Sequence, residues 1–293
     1  MPKRVNGSGC IKPKRPRRTN KDIAKLCDQI MEIAQEIQPF SVRQMFYQLS
    51  SAGLCRKVEK DCKNVAGRLL KKLRYEGRMP FDWIVDNTRW MRKPDSWSSL
   101  ESMLHEQKKL FRRSLWLEQP AYVEVWVEKD ALSGILYQVT QQWDVPLMSV
   151  RGFSSISFLH SAAESFETID KPIFVYYFGD HDPSGLSISK NIEQKLRAWA
   201  PNSEIHFEKI AVTPEQIERY GLPTRPTKKT DSRSKNFKGE SVDLDALSPN
   251  TLRQLCENCI TQHIDIDRYD RTVAIEKLER ETLYTIIDSI EAT

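Results

Sequence analysis

With 293 residues and 34.1 kDa, the chain exceeds what one small core usually holds, so two domains with a helical tail are expected. Its 39% hydrophobic content, with 7 Trp, 9 Tyr and 11 Phe, excludes a mainly disordered chain. No apolar run approaches the roughly 18–20 residues of a membrane span, and the basic, Pro-rich start has no apolar stretch behind it to make a secretory signal. A soluble cytoplasmic protein is expected. The net charge of +5 hides an asymmetry: residues 1–120 hold 26 Lys/Arg against 13 Asp/Glu, and residues 121–293 hold 19 against 27. A basic half joined to an acidic half suggests a nucleic-acid-holding domain beside one that uses carboxylates. If both meet the same ligand, a cation has to mediate in the second.

In chain order, residues 1–19 carry seven basic residues and no acid, a tail that adds phosphate attraction or merely solubility. Asn20 is placed to cap a helix over Lys21–Ile37, whose Ile23, Leu26, Ile30, Ile33 and Ile37 recur at helical spacing. Pro39 stops it. Ser41 and Gln44 form a capping box for Val42–Ser51, closed by Gly53. A third helix is expected over Glu59–Tyr75, then a two-stranded wing, Phe81–Val85 and Thr88–Met91, around Asp86-Asn87. Three helices and a wing over residues 20–95 are the order of a winged helix-turn-helix. On the third helix Cys62, Val65, Ala66, Leu69 and Leu73 share one side, while Lys60, Asn64, Gly67, Arg68 and Lys71 lie opposite. That second face suits contact with double-stranded DNA, the plainer reading being a solvated helix face.

A linking helix over Ser96–Ser114, within residues 96–120, leads to a different pattern. Tyr122–Val127, Leu147–Val150, Ile173–Phe178 and Ile205–Ile210 read as strands. Ala131–Gln142, Ser155–Phe166 and Ser184–Ala198 read as the helices between them. This βαβ series over residues 121–212 predicts an α/β domain with a mostly parallel four-stranded sheet flanked by helices. Residues 213–293 complete it with a loop over Thr224–Gly239, a helix capped by Ser248 and a final helix from about Val273 to Ile290. Cys256 and Cys259 form the one C-x-x-C, inside a helical segment and unanswered by a second pair. Reduced, partly buried thiols fit better than zinc.

Two strands end in acids. Val123–Val127 runs into Glu128, and Ile173–Phe178 runs into Gly179-Asp180-His181-Asp182-Pro183-Ser184-Gly185. In parallel sheets ligands gather at such ends. If the first and third strands are neighbours, Glu128, Asp180 and Asp182 approach one another. Their mutual repulsion is then relieved by a hard divalent cation, Mg²⁺ with Mn²⁺ as substitute. The alternative makes the two Asp turn formers, Asp182 capping the helix after Pro183. His181, pointing the other way in an extended turn, is a weaker ligand candidate. On the second helix, Val42, Met45, Phe46 and Leu49 form the apolar face, and Tyr47 lies off it, one turn from Arg43. Tyr47 either packs half-buried with a wet hydroxyl or serves as a nucleophile, its phenolate favoured by the neighbouring guanidinium.

The runs R-Q-M-F-Y at Arg43–Tyr47, E-K-D-A at Glu128–Ala131, R-G-F-S-S at Arg151–Ser155 and G-D-H-D-P-S-G at Gly179–Gly185 resemble the A subunit of topoisomerase VI. They also resemble its relatives, the meiotic double-strand-break transesterase and, most nearly, the free-standing Mini-A proteins. The resemblance covers roughly residues 20–210 and implies a winged helix followed by a Toprim domain. It implies that Tyr47 attacks a DNA phosphodiester to give a 5′-phosphotyrosyl link and a free 3′-OH, and that Arg43 stabilises the charge. Glu128, Asp180 and Asp182 would hold Mg²⁺, with Glu128 also shuttling a proton. It further implies a homodimer in which tyrosine and metal come from different protomers, with either a separate ATPase B-type subunit or independent cleavage. Phe46 departs from the family's usual Tyr-Tyr pair, and no ATPase module is recognisable. Two rival functions use the same features: a Toprim metal-dependent DNA hydrolase with water as nucleophile, and an inactive DNA-binding scaffold.

Overall fold

The computed structural model describes residues 19–56, 58, 61–84, 95–151, 156–226, 237 and 239–291. The basic tail up to residue 18, Lys60 and the proposed wing strand Thr88–Met91 with its Asp86-Asn87 turn lie outside them.

Helix α1 spans Asn20–Ile37. Its cap is Thr19 rather than Asn20: the Thr19 hydroxyl accepts from the backbone of Asp22, whose carboxylate accepts in return from Thr19. Thr19 has extended backbone, which frees its hydroxyl to reach the first turn, whereas Asn20 already has helical geometry. Helix α2, Val42–Ser51, begins at the expected Ser41/Gln44 capping box. The third helix opens with a π-helical turn, Cys62–Gly67, and continues as α3, Arg68–Tyr75. Val65, Ala66, Leu69, Leu70 and Leu73 point inward.

Of the expected strand Phe81–Val85, the described residues 81–84 do not form one, and Val85 lies outside them. Phe81–Trp83 is a short 3-10 turn, and Ile84 alone makes a parallel bridge, to Phe40. The reason lies in Phe81, which is held under the guanidinium of Arg74, 4.4 Å from its ring centroid, and so turns back onto α3.

Helix α4, Leu100–Leu110, is shorter than the expected linker and starts at a Ser99 cap. Strands β1 (Tyr122–Val127), β2 (Leu147–Ser149), β3 (Ile173–Phe178) and β4 (Ile205–Ala211) follow. They pair in the order β2-β1-β3-β4, every pair parallel. Between and after them run α5 (Ser133–Thr140), α6 (Ile156–Phe166), α7 (Pro183–Trp199), α8 (Pro214–Tyr220), α9 (Pro249–Thr261) and α10 (Ile266–Glu291).

The sheet is buried on both faces, which is why its central strands read as continuous apolar runs. Trp126, Ile173, Val175 and Tyr177 share one core with Leu159 of α6 and Ile188 and Ile192 of α7. Val123, Val125, Val127, Tyr176 and Phe178 face the other way, toward α5, α9 and the helices of the first 80 residues, in one continuous core. Among the described residues Cys27, Cys256 and Cys259 are buried free thiols. No helix among the described residues is long and apolar enough to cross a membrane.

Candidate acid and tyrosine site

β1 and β3 are direct neighbours, with Val127 opposite Phe178, and the connections leaving them run to opposite edges of the sheet. Their carboxyl ends therefore form the crevice where parallel sheets bind ligands. Glu128 continues the ladder, its N–H donating to the carbonyl of Phe178 at 2.8 Å. The Glu128 carboxylate accepts from the N–H of Asp180 at 3.0 Å and from the hydroxyl of Tyr177 at 3.2 Å. Gly179 makes this possible: a Cβ there would stand 2.6 Å from the Glu128 carboxylate. Burial, then the charge of Asp180, raises the Glu128 pKa.

Asp180 is buried, and its Oδ1 accepts from Leu244 N–H at 2.7 Å and from the Lys129 ammonium at 2.8 Å. Burial raises its pKa although Lys129 and the Leu244 N–H pull it down. Asp182 is the N-cap of α7: Oδ1 accepts from Gly185 N–H at 2.8 Å, and Oδ2 stands 3.5 Å from Arg225. Asp182 is thus the helix cap that one reading foresaw, and its other oxygen faces Arg225. The ring of His181 packs against Phe237, and its backbone bridges Val242.

Among the described residues no three Asp, Glu, His or Cys groups stand together as a metal cage. What the donor set fits is narrower. Mg²⁺ usually keeps several waters and takes one or two carboxylates together with phosphate oxygens. Glu128 and Asp180, locked together at adjacent strand ends, are such a pair, with Asp182 one step further along the turn. Asp245 adds a buried Oδ1 with no hydrogen-bond partner among the described residues, in the same cleft.

Tyr47 lies off the stripe formed by Met45 and Leu49, yet it is only 2% exposed, while Val42, expected inside, is 37% exposed. The helix is covered on a second side, where the 3-10 turn Leu244–Ala246 packs against α2. Tyr47 donates its hydroxyl to Asp243 on that segment. Burial, then Asp243, raises the phenol pKa, and the nearby Arg43 offsets this only in part. Arg43 lies 3.7 Å from Asp243 and 3.8 Å from Asp245, half exposed above them. Arg225 lies 2.7 Å from Asp243, and Lys129 bridges Asp180, Asp243 and Asp245 at 2.8, 3.7 and 2.8 Å. Tyr47 and Arg43 are thereby linked to Asp180 through two acids and one lysine of the same chain.

Asp243, Asp245, Lys129 and Arg225 were not singled out by sequence reasoning. A signal was present: Val242-Asp243-Leu244-Asp245 is a second Asp-x-Asp, with alternate apolar residues that are both buried. Of the expected DNA-contacting residues, Asn64, Arg68 and Lys71 are exposed on the side of the third helix away from the core. Asn64 and Arg68 line a groove with Asn20, Ile23 and Lys72. No protein-family model matches this chain, and no curated protein matches it.

Proposed function

We propose that the protein is a DNA-cleaving transesterase of the topoisomerase VI A type: a winged-helix unit joined to a Toprim unit, acting as a Mg²⁺-dependent homodimer. The observation that carries this reading is the cleft at the ends of β1 and β3, where Glu128 and Asp180 stand with Arg43 of α2; within one chain the Tyr47 hydroxyl is held by Asp243, so the attack in this reading is on a phosphate at the partner protomer's acids. A four-stranded all-parallel sheet flanked by helices is compatible with a Toprim core. The exposed Arg68 and Lys71 support the DNA-holding role of the first unit.

In this reading the scissile phosphate lies over the cleft between Arg43, Arg151 and Arg225, which line it with Glu128 and Asp180. Tyr47 attacks phosphorus in line with the 3′ oxygen, which leaves, and the strand stays on the protein as a 5′-phosphotyrosyl ester. Arg43 supplies positive charge where the phosphorane oxygens gather it. Glu128, Asp180 and Asp182 would hold the cation, whose chemistry when bound is to neutralise charge on the phosphate and the leaving oxygen. Glu128, at the end of β1 beside that cleft, would also carry the proton to that oxygen.

A second reading, a metal-dependent DNA hydrolase, is favoured by one observation: the Tyr47 hydroxyl is buried and held protonated against an acid. Supercoiled plasmid with Mg²⁺ or Mn²⁺, quenched with detergent and run with and without protease, separates the two. Ends that carry protein until protease is added, lost in Tyr47→Phe and in Asp180→Ala, support the transesterase. Protein-free ends that persist in Tyr47→Phe support the hydrolase. Intact plasmid under all conditions speaks for a DNA-binding scaffold or for the need of an ATPase subunit, which adding such a subunit tests.

A further inference from the structure

Tyr75 and Phe81 stand open on the first unit, 73% and 60% exposed, although large aromatic side chains usually supply core. A single exposed apolar side chain is ordinary, but two aromatics sharing one groove are not. Tyr75 ends α3, and Gly77, with a φ of +69°, reverses the chain so that Phe81 returns beside that last turn. Backbone holds the reversal: the N–H groups of Gly77 and Arg78 donate to the carbonyls of Arg74 and Leu73 at 3.1 and 3.0 Å. Lys71, Arg74, Tyr75 and Phe81 thereby line a groove of about 260 Å³ with Val42 and Ile84.

Each ring carries its own cation. Lys71 Nζ lies 5.5 Å from the centroid of Tyr75, and the Arg74 guanidinium lies 4.4 Å from that of Phe81. No acid is among the described residues that line the groove. Glu76, next to Tyr75, is taken by Lys72 at 3.6 Å, and Asp82, next to Phe81, is exposed outside the lining. One Arg74 nitrogen reaches the Phe81 carbonyl at 3.4 Å, while its Nε is buried with no hydrogen-bond partner among the described residues.

We infer that this groove is a stacking site for the bases of unpaired DNA. Every base has a π-face, so exposed rings hold an unpaired strand whatever its sequence, while Lys71 and Arg74 meet its phosphates. In a duplex those faces are already covered by neighbouring bases, so only melted or frayed strand can use the rings. A protein partner fits less well, because lysine is depleted at the centre of protein interfaces. The choice of DNA rests on the DNA-holding role proposed for the first unit, whereas stacking itself needs no cleavage chemistry. Lys71 borders both the groove and the exposed side of the third helix. A strand that opens beside a duplex bound there therefore meets the rings without leaving the protein.

The test is fluorescence anisotropy with the full chain and four labelled ligands. These are a thymidine oligonucleotide, the same strand made abasic throughout, its ribose counterpart and a blunt duplex. Wild type is expected to bind the thymidine strand at least about tenfold more tightly than the abasic one. Tyr75→Leu and Phe81→Leu keep apolar bulk but remove a ring. Each should weaken binding of the thymidine strand about tenfold and leave duplex affinity within about twofold. Tyr75→Phe, which keeps the ring and loses only the hydroxyl, should bind like wild type.

Equal binding of the thymidine and abasic strands overturns the inference, because phosphates alone would then be read. So do Leu variants that hold the thymidine strand as wild type does, or that lose it and the duplex to the same extent. A ribose strand bound more tightly than the thymidine strand overturns the assignment to DNA. Duplex binding without single-strand binding overturns the inference and leaves the DNA-holding reading standing. A chain that binds none of the four overturns that reading itself.

Discussion

The ammonium of Lys129 stands 2.8 Å from the carboxylate of Asp180. The same nitrogen lies 2.8 Å from Asp245, so one lysine serves acids from the turn after β3 and from the segment before α9. Burial disfavours its charge, yet Asp245, Asp180 and Asp243 outweigh this and raise its pKa. Removing one partner of a buried pair leaves the others uncompensated. Lys129→Met is therefore expected to cost roughly 3–5 kcal/mol of stability, read by denaturant unfolding in EDTA. Because a bound cation stabilises by mass action, Mg²⁺ should raise the melting temperature of Lys129→Met more than that of wild type. Equal shifts would argue against a cation site beside Asp180.

Two glycines hold the acids in register. A Cβ at Gly179 would stand 2.4 Å from the Tyr177 ring and 2.6 Å from the Glu128 carboxylate, and one at Gly185 would stand 2.4 Å from the carbonyl of Asp180. Neither contact is sterically tolerable without movement of the strand ends. Gly179→Ala and Gly185→Ala are each expected to destabilise by about 1–3 kcal/mol. Gly185→Ala, pressing on backbone rather than side chain, should be the costlier. Thermal unfolding of both variants checks the order.

Lys209 donates to the carbonyl of Asp180 at 2.6 Å from inside the protein. Burial lowers its pKa from 10.5 to about 8, while Glu128, Asp180 and Asp182 pull it upward. The folded value lies below the unfolded one, so the folded state holds fewer protons between them. The stability tied to this group is present in full above about pH 10.5 and is lost as the pH falls through about 8. In metal-free protein whose lysines carry ¹³C-methyl labels, one resonance should titrate near pH 8 and vanish in Lys209→Met. That variant should also lose the rise in stability across the window.

The basic side of the third helix makes a prediction of another kind. Arg68 and Lys71 are exposed and face away from the core. Contacts to phosphates strengthen binding uniformly across sequences and add to its salt dependence. Arg68→Ala and Lys71→Ala should each lower the slope of log affinity against log salt by about 1, without changing which duplex is preferred. Fluorescence anisotropy at several salt concentrations measures this. An unchanged slope would reduce the face to ordinary solvated surface.

The sheet was legible because its strands obey local rules. Tyr122–Val127 and Ile173–Phe178 are apolar runs buried on both faces, and the structure has them at the expected bounds. The Asp182-Pro183 start of α7 and the Ser41/Gln44 start of α2 are likewise written in neighbouring residues. Local chemistry also misled. Phe81 carries a strand-forming side chain, but its contact with Arg74 on α3 turned the chain back.

By itself, then, the order of residues determined most of the helices, the parallel strands and the two acids that end them, since capping, periodicity and strand burial act over a few residues; it missed α8 and the start of α10 at Ile266. Tertiary structure alone decided what surrounds Tyr47. Its hydroxyl partner Asp243 lies 196 residues further along the chain. Lys129 meets Asp245 across 116 residues. Spacing within one helix tells which residues share a face. It does not tell what second surface will close over that face, and that closure turned an off-stripe tyrosine into a buried one hydrogen-bonded to an acid.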